Sequence, residues 1–179
     1  MANEPRYYAD FRGAVRSAVH LEMRDIYEPS NPDYQDWLSW ETSSPDAPFS
    51  DWHRSERFAE WTDIVKETVE RGVIMRRARI VSEPVTDYIR WEHALTGAMN
   101  IPAGEQVRWL PRRRASDIAL PGNDHWVFDE RLVRLHHFSG EGEILDNEFS
   151  EDPALVKLCV SAFEAVWERA IPHDEYQIS

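Results

Sequence analysis

Apolar residues recur along this chain with two periods, and the points where the period changes divide it into elements. Tyr7, Phe11, Val15 and Ala18 repeat at three- and four-residue spacing, which predicts a short helix within residues 5–18. The period then drops to two. Val19, Leu21 and Met23 alternate with His20, Glu22 and Arg24, the pattern of a strand with one apolar face and one face of His, Glu and Arg. Residues 28–50 hold Pro29, Pro32, Pro45 and Pro48 among Ser, Asp and Asn, which predicts a long loop. That loop carries Trp37, Leu38, Trp40 and Phe49, so it is either a functional lid or partner-binding segment, or a satellite core.

The second half of the pattern is sharper. Phe58, Trp61, Val65 and Val69 form one stripe of a helix from Asp51 to Arg71, with Gly72 just past its end. Residues 73–82 are rich in β-branched residues and predict a strand. Pro84 suits the first turn of a helix running to about Ala98, with Val85, Ile89 and Leu95 inward. Pro102-Ala103-Gly104 marks a turn before a short strand at Val107–Leu110. Residues 125–138 predict a hairpin turning near Asp129-Glu130, and Ile144–Phe149 a last strand. Asp152 and Pro153 open a final helix with Leu155, Cys159, Ala162, Phe163 and Val166 as its stripe, ended by Pro172. Residues 173–179 read as a loose tail. Strands in sequence pairs with helices at both ends predict one α+β domain over 1–179, an antiparallel sheet of about five strands packed by three to four helices.

Composition narrows the function classes. A chain of 179 residues with eight tryptophans can bury a real core. The net charge of -13 argues against nucleic acid as a partner, leaving Arg112-Arg113-Arg114 as the one short basic run. The N-terminus MANEPRYYAD is polar and acidic, unlike a signal peptide, and no apolar run reaches the ~20 residues a bilayer span needs, which predicts a cytoplasmic protein with no membrane contact. Cys159 is the single cysteine and lies in an apolar helical stripe, the setting of a buried filler.

The residues that can carry chemistry are carboxylates and arginines set among aromatics. Glu22, Glu92 and Asp129 each adjoin apolar or aromatic residues, where burial can raise a carboxyl pKa and make an acid or base, so they are the catalytic candidates. The same placement suits one half of a buried Arg–carboxylate pair, and that reading is favoured by the number of arginines nearby. Arg24, Arg79, Arg90 and Arg108, with Asp87, Tyr88, Trp91, Trp109 and Trp126, can form a ligand-binding surface in which guanidinium forks meet an anion and rings wall it. His136-His137 lies on a predicted strand, so its rings point to opposite faces and cannot chelate together. No Gly-rich phosphate loop, nucleophile elbow or Cys/His cluster is present, and neither cofactor nor metal is predicted.

The stretches HLEMRDIY (20–27), RARIVSEPVTDYIRWEHA (77–94), NIPAGEQVRWLPR (100–112), LPGNDHWVFDERLVRLHHF (120–138) and EDPALV (151–156), in this order, resemble an actinobacterial family of unknown function, family 6879, over roughly residues 8–172. Members of that family are often encoded beside helix-turn-helix regulators, so the resemblance implies a regulatory or toxin–antitoxin-like neighbourhood and no catalytic residues. The aromatic 28–50 segment, with Trp37 and Trp40, departs from the family and leaves room for a biosynthetic accessory.

Two functions follow as expectations. The first is an interaction or regulatory accessory protein acting through an Arg/acid/aromatic surface on a helix-turn-helix regulator, or on a second copy of itself as a homodimer. The alternative is a small cofactor-free enzyme in a biosynthetic pathway. There Arg79, Arg90 and Arg108 hold an anionic small molecule or acyl substrate, and Glu22, Glu92 or Asp129 moves a proton.

Overall fold

A computed structural model describes residues 8–43 and 56–178. In chain order the elements are α1 (Ala9–Gly13), β1 (Ser17–Glu22), α2 (Pro32–Ser43), α3 (Glu56–Glu70), β2 (Ile74–Val81), α4 (Asp87–Leu95), β3 (Gln106–Pro111), β4 (His125–Phe128), β5 (Leu132–Phe138), β6 (Ile144–Ser150), α5 (Pro153–Arg169) and β7 (Ile171–Pro172). The strands form one seven-stranded sheet in the order β6-β5-β4-β1-β2-β3-β7.

The class is α+β as expected, but the sheet is mixed and larger than an antiparallel five-stranded one. β1 pairs parallel with β2, and β2 with β3, while the remaining pairs are antiparallel. Parallel neighbours need a crossover, and helices lie between β1 and β2 and between β2 and β3. Both faces of the central strands are therefore covered. On one face Val19, Leu21, Ala78, Ile80, Leu110, Val127 and Val133 pack against Cys159, Ala162, Phe163 and Val166 of α5. On the other face α3 and α4 bring Ile64, Val65, Tyr88 and Trp91 over Met75, Val107, Trp109, Trp126 and Phe128.

Several local expectations shift. The predicted 28–50 loop contains α2, because Pro32 stands at the helix start, where its missing N–H leaves no bond unmade. Asn31 Oδ1 accepts from the Asp33 N–H at 2.9 Å and caps the turn, while Tyr34 and Trp37 are buried. Pro45, Pro48, Phe49 and residues 51–55 of the predicted 51–71 helix lie outside the described residues, as do 5–7 of the first helix. That first helix ends at Gly13, and β1 takes over Ala18.

The helix predicted from Pro84 opens instead at Asp87, since the Thr86 side chain accepts from the Ile89 N–H and sets the cap. Beyond Leu95 the helix widens into a π-turn, Thr96–Asn100, and continues through Ile101–Ala103. The expected turn at 102–104 is thus the helix end, closed by Gly104 at φ +101°. Gly72 fills the matching left-handed position after α3.

The tail is packed over residues 173–178. Tyr176 stacks on Trp109 with ring centroids 5.6 Å apart, and Trp109 Nε1 donates to His173 Nδ1 at 3.1 Å. Cys159 is fully buried, and burial pushes its thiol up to about 11, so it is filler. Among the described residues no helix is long and apolar enough to cross a membrane.

Candidate functional site

The parallel register sets His20 beside Arg77 and Glu22 beside Arg79, and the neighbouring ladders add Trp109 next to Arg79 and Trp126 next to His20. Alternation then places all six side chains on one face of the sheet, beneath α3 and α4. This is the polar face read from the 19–24 alternation, and it is buried. Arg77 donates from Nη1 to Glu22 Oε1 at 2.6 Å and from Nε to Glu105 Oε1 at 2.8 Å. Arg79 Nε lies 2.8 Å from Glu22 Oε2, and its Nη1 contacts Glu92 Oε2 from α4. Asn100, turned inward at the end of the π-turn, donates to Glu105 Oε2 at 2.5 Å.

Rings enclose the charges. The Arg77 guanidinium lies over Trp61 and Trp126 at 5.6 and 5.4 Å, and that of Arg79 over Trp109 at 5.1 Å. His20 stacks on Trp126 at 4.3 Å. Burial, with the charges of Arg77, His136, Arg134 and Arg79, holds the His20 pKa well below its ordinary value, so the ring is neutral. Burial penalises the Arg77 charge, yet Glu105 and Glu22 outweigh that and raise its pKa. For Arg79 burial wins over Glu22 and lowers it. Both remain cations, as guanidinium does in proteins.

A second buried polar group adjoins this network. Tyr27 donates through its hydroxyl to Asp124 Oδ2, and the Met23 N–H donates to Asp124 Oδ1 at 3.0 Å. Burial drives the Asp124 carboxyl up to about 7, aided by the charge of Glu22 and opposed by the Tyr27 bond. Burial and Arg134 together push His136, 5.4 Å from His20, down to about 3.

Of the residues singled out from sequence, Glu22, Glu92, Arg79, Trp109 and Trp126 meet here. Tyr88 and Trp91 lie one shell out, in the aromatic cluster with Tyr34 and Trp37. The others are placed elsewhere. Arg108 faces the opposite side of the sheet, over Trp167 at 4.3 Å, because it alternates with Trp109. Arg90 and Asp87 form an exposed pair 3.9 Å apart on α4. Arg24 lies over Phe138 at 4.9 Å. Arg112 leaves the basic run to donate to the Met23 and Ile80 carbonyls at 2.6 and 3.1 Å, tying off strand ends.

Asp129 stands at the far end of β1, in the β4–β5 turn, where it and Glu130 have φ +53° and +54°. Its carboxylate accepts from the Val15, Arg16 and Ser17 N–H groups at 3.0, 2.8 and 3.0 Å. Partial burial raises its pKa, but those bonds and the Arg16 charge outweigh it and the net shift is downward, the opposite of what a general acid needs. Asp129→Ala is therefore expected to cost about 1–3 kcal/mol by taking the acceptor from three backbone donors and by replacing aspartate, which tolerates left-handed backbone, with a residue that does so less well. Asp129→Asn, which tolerates that backbone, should lose less. An unchanged melting temperature for the alanine variant would show that the carboxylate does not lock the turn.

Sequence reasoning missed Arg77, Glu105, Asn100 and Trp61. Arg76-Arg77 is an adjacent pair, so one had to face each side: Arg76 pairs with Glu164 of α5 at 2.6 Å, and Arg77 turns into the network. An open cleft of about 420 Å³, lined by Glu130, Arg131, Glu151, Pro153 and Lys157, adjoins the turn that holds Asp129 and is lined by none of the candidates themselves. Among the described residues no three His, Cys, Asp or Glu side chains are grouped as a metal site requires.

No curated protein sequence matches the chain. Its fold is similar to that of Nuc from Salmonella typhimurium, a phospholipase D family member, with a TM-score of 0.51 at 9% identity over 94% of this chain and 89% of that one. It is also similar to TrmBL2, an archaeal chromatin protein, with a TM-score of 0.50 at 12% identity over 93% of this chain, which spans about half (49%) of TrmBL2. At these identities the likeness is one of fold alone. Residues 6–178 match the family described as Domain of unknown function (DUF6879), and the chain belongs to it.

Proposed function

We propose that this protein is a cytoplasmic regulatory accessory that works by binding another protein, with a helix-turn-helix regulator as the partner. The observation that carries this reading is where its reactive side chains and its exposed apolar ones are found. The arginines and carboxylates of the central face are spent on one another in the interior, whereas Leu145 and Phe149 of β6 stand 64% and 52% exposed. Solvent-facing apolar side chains grouped on one element are a feature of binding surfaces.

The competing enzyme reading asks Arg79, Arg90 and Arg108 to converge on one anion. Their placement in the core, on the outside of α4 and on the α5 face weighs against it. The described DNA binding of TrmBL2 is not carried over, since a net charge of -13 opposes it. The test is co-purification with the helix-turn-helix regulator encoded nearest its gene, read by size-exclusion chromatography with light scattering. A stoichiometric complex at micromolar concentration is expected. Two separate peaks would overturn the proposal.

A further inference from the structure

β6 is an outermost strand of the sheet, bonded to β5 and, among the described residues, to no strand beyond it. Apart from an irregularity at Leu145, which the register shift between His137 and Phe138 leaves without a partner on β5, its seven residues present a row of backbone N–H and C=O groups for another strand to pair with. The opposite edge offers little of this, since β7 is two residues long and one of them is Pro172.

The side chains on β6 select what can pair. Residues 141–152 include Glu141, Glu143, Asp146, Glu148, Glu151 and Asp152. Five of these have local partners. Glu151 pairs with Arg131 at 2.6 Å, Asp152 caps α5 through the Ala154 N–H, and Glu143 accepts from the Ser30 hydroxyl. Asp146 and Glu148 on the strand itself stay 73% and 59% exposed, with His137 at 3.8 and 3.5 Å.

A second copy is a poor occupant. Antiparallel self-pairing about Asn147 would set Leu145 opposite Phe149, which is favourable, but it would also set Asp146 opposite Glu148 twice by symmetry. Like charges facing each other across a ladder destabilise it. Both contacts become favourable at once if the incoming strand carries cations where a second copy would carry acids.

Building on the protein-binding role above, we propose that β6 docks an extended cationic segment of the partner protein by strand addition, with the pattern apolar, basic, any, basic, apolar. The two apolar side chains meet Leu145 and Phe149, and the two basic ones meet Asp146 and Glu148. Backbone bonds supply affinity, and the charges supply orientation and exclude acidic or self partners.

The test uses a labelled peptide of pattern valine–lysine–threonine–lysine–valine flanked by threonines, and its glutamate-for-lysine counterpart, read by fluorescence anisotropy on the full chain. The lysine peptide is expected to bind at least about tenfold more tightly than the glutamate one, with a preference that weakens in salt. The exposed double variant D146K/E148K should melt as the parent does and reverse that preference. Equal binding of both peptides, binding of neither, or an unaltered preference in D146K/E148K would overturn the assignment. So would a parent homodimer that Leu145→Pro dissolves, which would give the edge to a second copy. A regulator complex that survives D146K/E148K would sink this inference and leave the protein-binding role standing, whereas no complex with the parent chain would sink that role itself.

Discussion

Arg77→Ala should destabilise the fold by about 3–5 kcal/mol, the cost of breaking a buried ion pair by removing one partner. Against a typical stability of about 5–15 kcal/mol this is a large fraction, visible as a lowered urea midpoint. The reason is local. Arg77 is the guanidinium shared by Glu22 and Glu105, at 2.6 and 2.8 Å, beneath α3 and α4. Without it Glu22 keeps Arg79, but Glu105 keeps the Asn100 amide and loses its cation. A lysine in its place retains charge but not the fork that reaches two carboxylates from Nε and Nη1, so Arg77→Lys should recover part of the loss and not all of it.

A double-mutant cycle gives the sharper reading. Arg77→Met with Glu105→Met removes both charges, and the pair should cost less than the sum of the singles by about 0.5–3 kcal/mol. Strict additivity would mean that the two side chains do not interact in solution.

Acidification is expected to weaken the fold steeply below pH 6.5. Burial and Arg134 hold His136 down at about 3, and His20 and His125 are likewise lowered by burial. All three are held towards the neutral form in the folded chain, whereas in the unfolded chain they take up protons near their ordinary value of about 6.5. The unfolded state then binds more protons, so stability rises with pH and is lost as pH falls from 6.5 towards the folded values. Asp124 pulls the other way. Its folded pKa of about 7 exceeds its ordinary 3.8, so between those values it binds a proton on folding and favours acid.

The lowered histidines outnumber the one raised aspartate, so the net dependence follows them, at about 1.4 kcal/mol per pH unit for each proton by which the two states differ. Urea midpoints measured at pH 7.5 and 5.0 check this. His136→Gln should flatten the dependence, and a midpoint that holds or rises on acidification would mean that the buried rings are not neutral. The tail adds a local version of the same effect. His173, pushed down to about 4 by burial and by His93, stacks on His93 at 4.3 Å and would loosen from Trp109 as it charges.

Elements whose signals are local were legible in the chain. β2, α5 with its Asp152 cap, the Asp129-Glu130 turn and the Gly72 stop rest on residues within a few positions of one another. α2 was hidden because Pro32 reads as a breaker until it is known to stand at the helix start. With α2 hidden, the crossover between β1 and β2 vanished too, and with it the reason to expect parallel strands. In the site, the mixture of Glu22, Glu92 and Arg79 with Trp109 and Trp126 was legible, and so was the ion-pair alternative to acid/base chemistry. The partners of Arg77 were not, since Glu105 follows a glycine turn and Asn100 is aimed by a π-turn that no side-chain pattern announces.

The amino-acid sequence by itself determined an acidic, tryptophan-rich chain with a strand that has one polar face, a set of arginines and carboxylates placed among aromatics, and membership of its family. The tertiary structure decided that the polar face is an interior one. Covering helices exclude water from it, and a charge without water must find its counter-charge on whatever strand the register brings alongside. It also decided which strand was left at the edge. An unpaired backbone is a property of a strand's place in the sheet, and Ile144–Ser150 acquires it by lying last in the strand order.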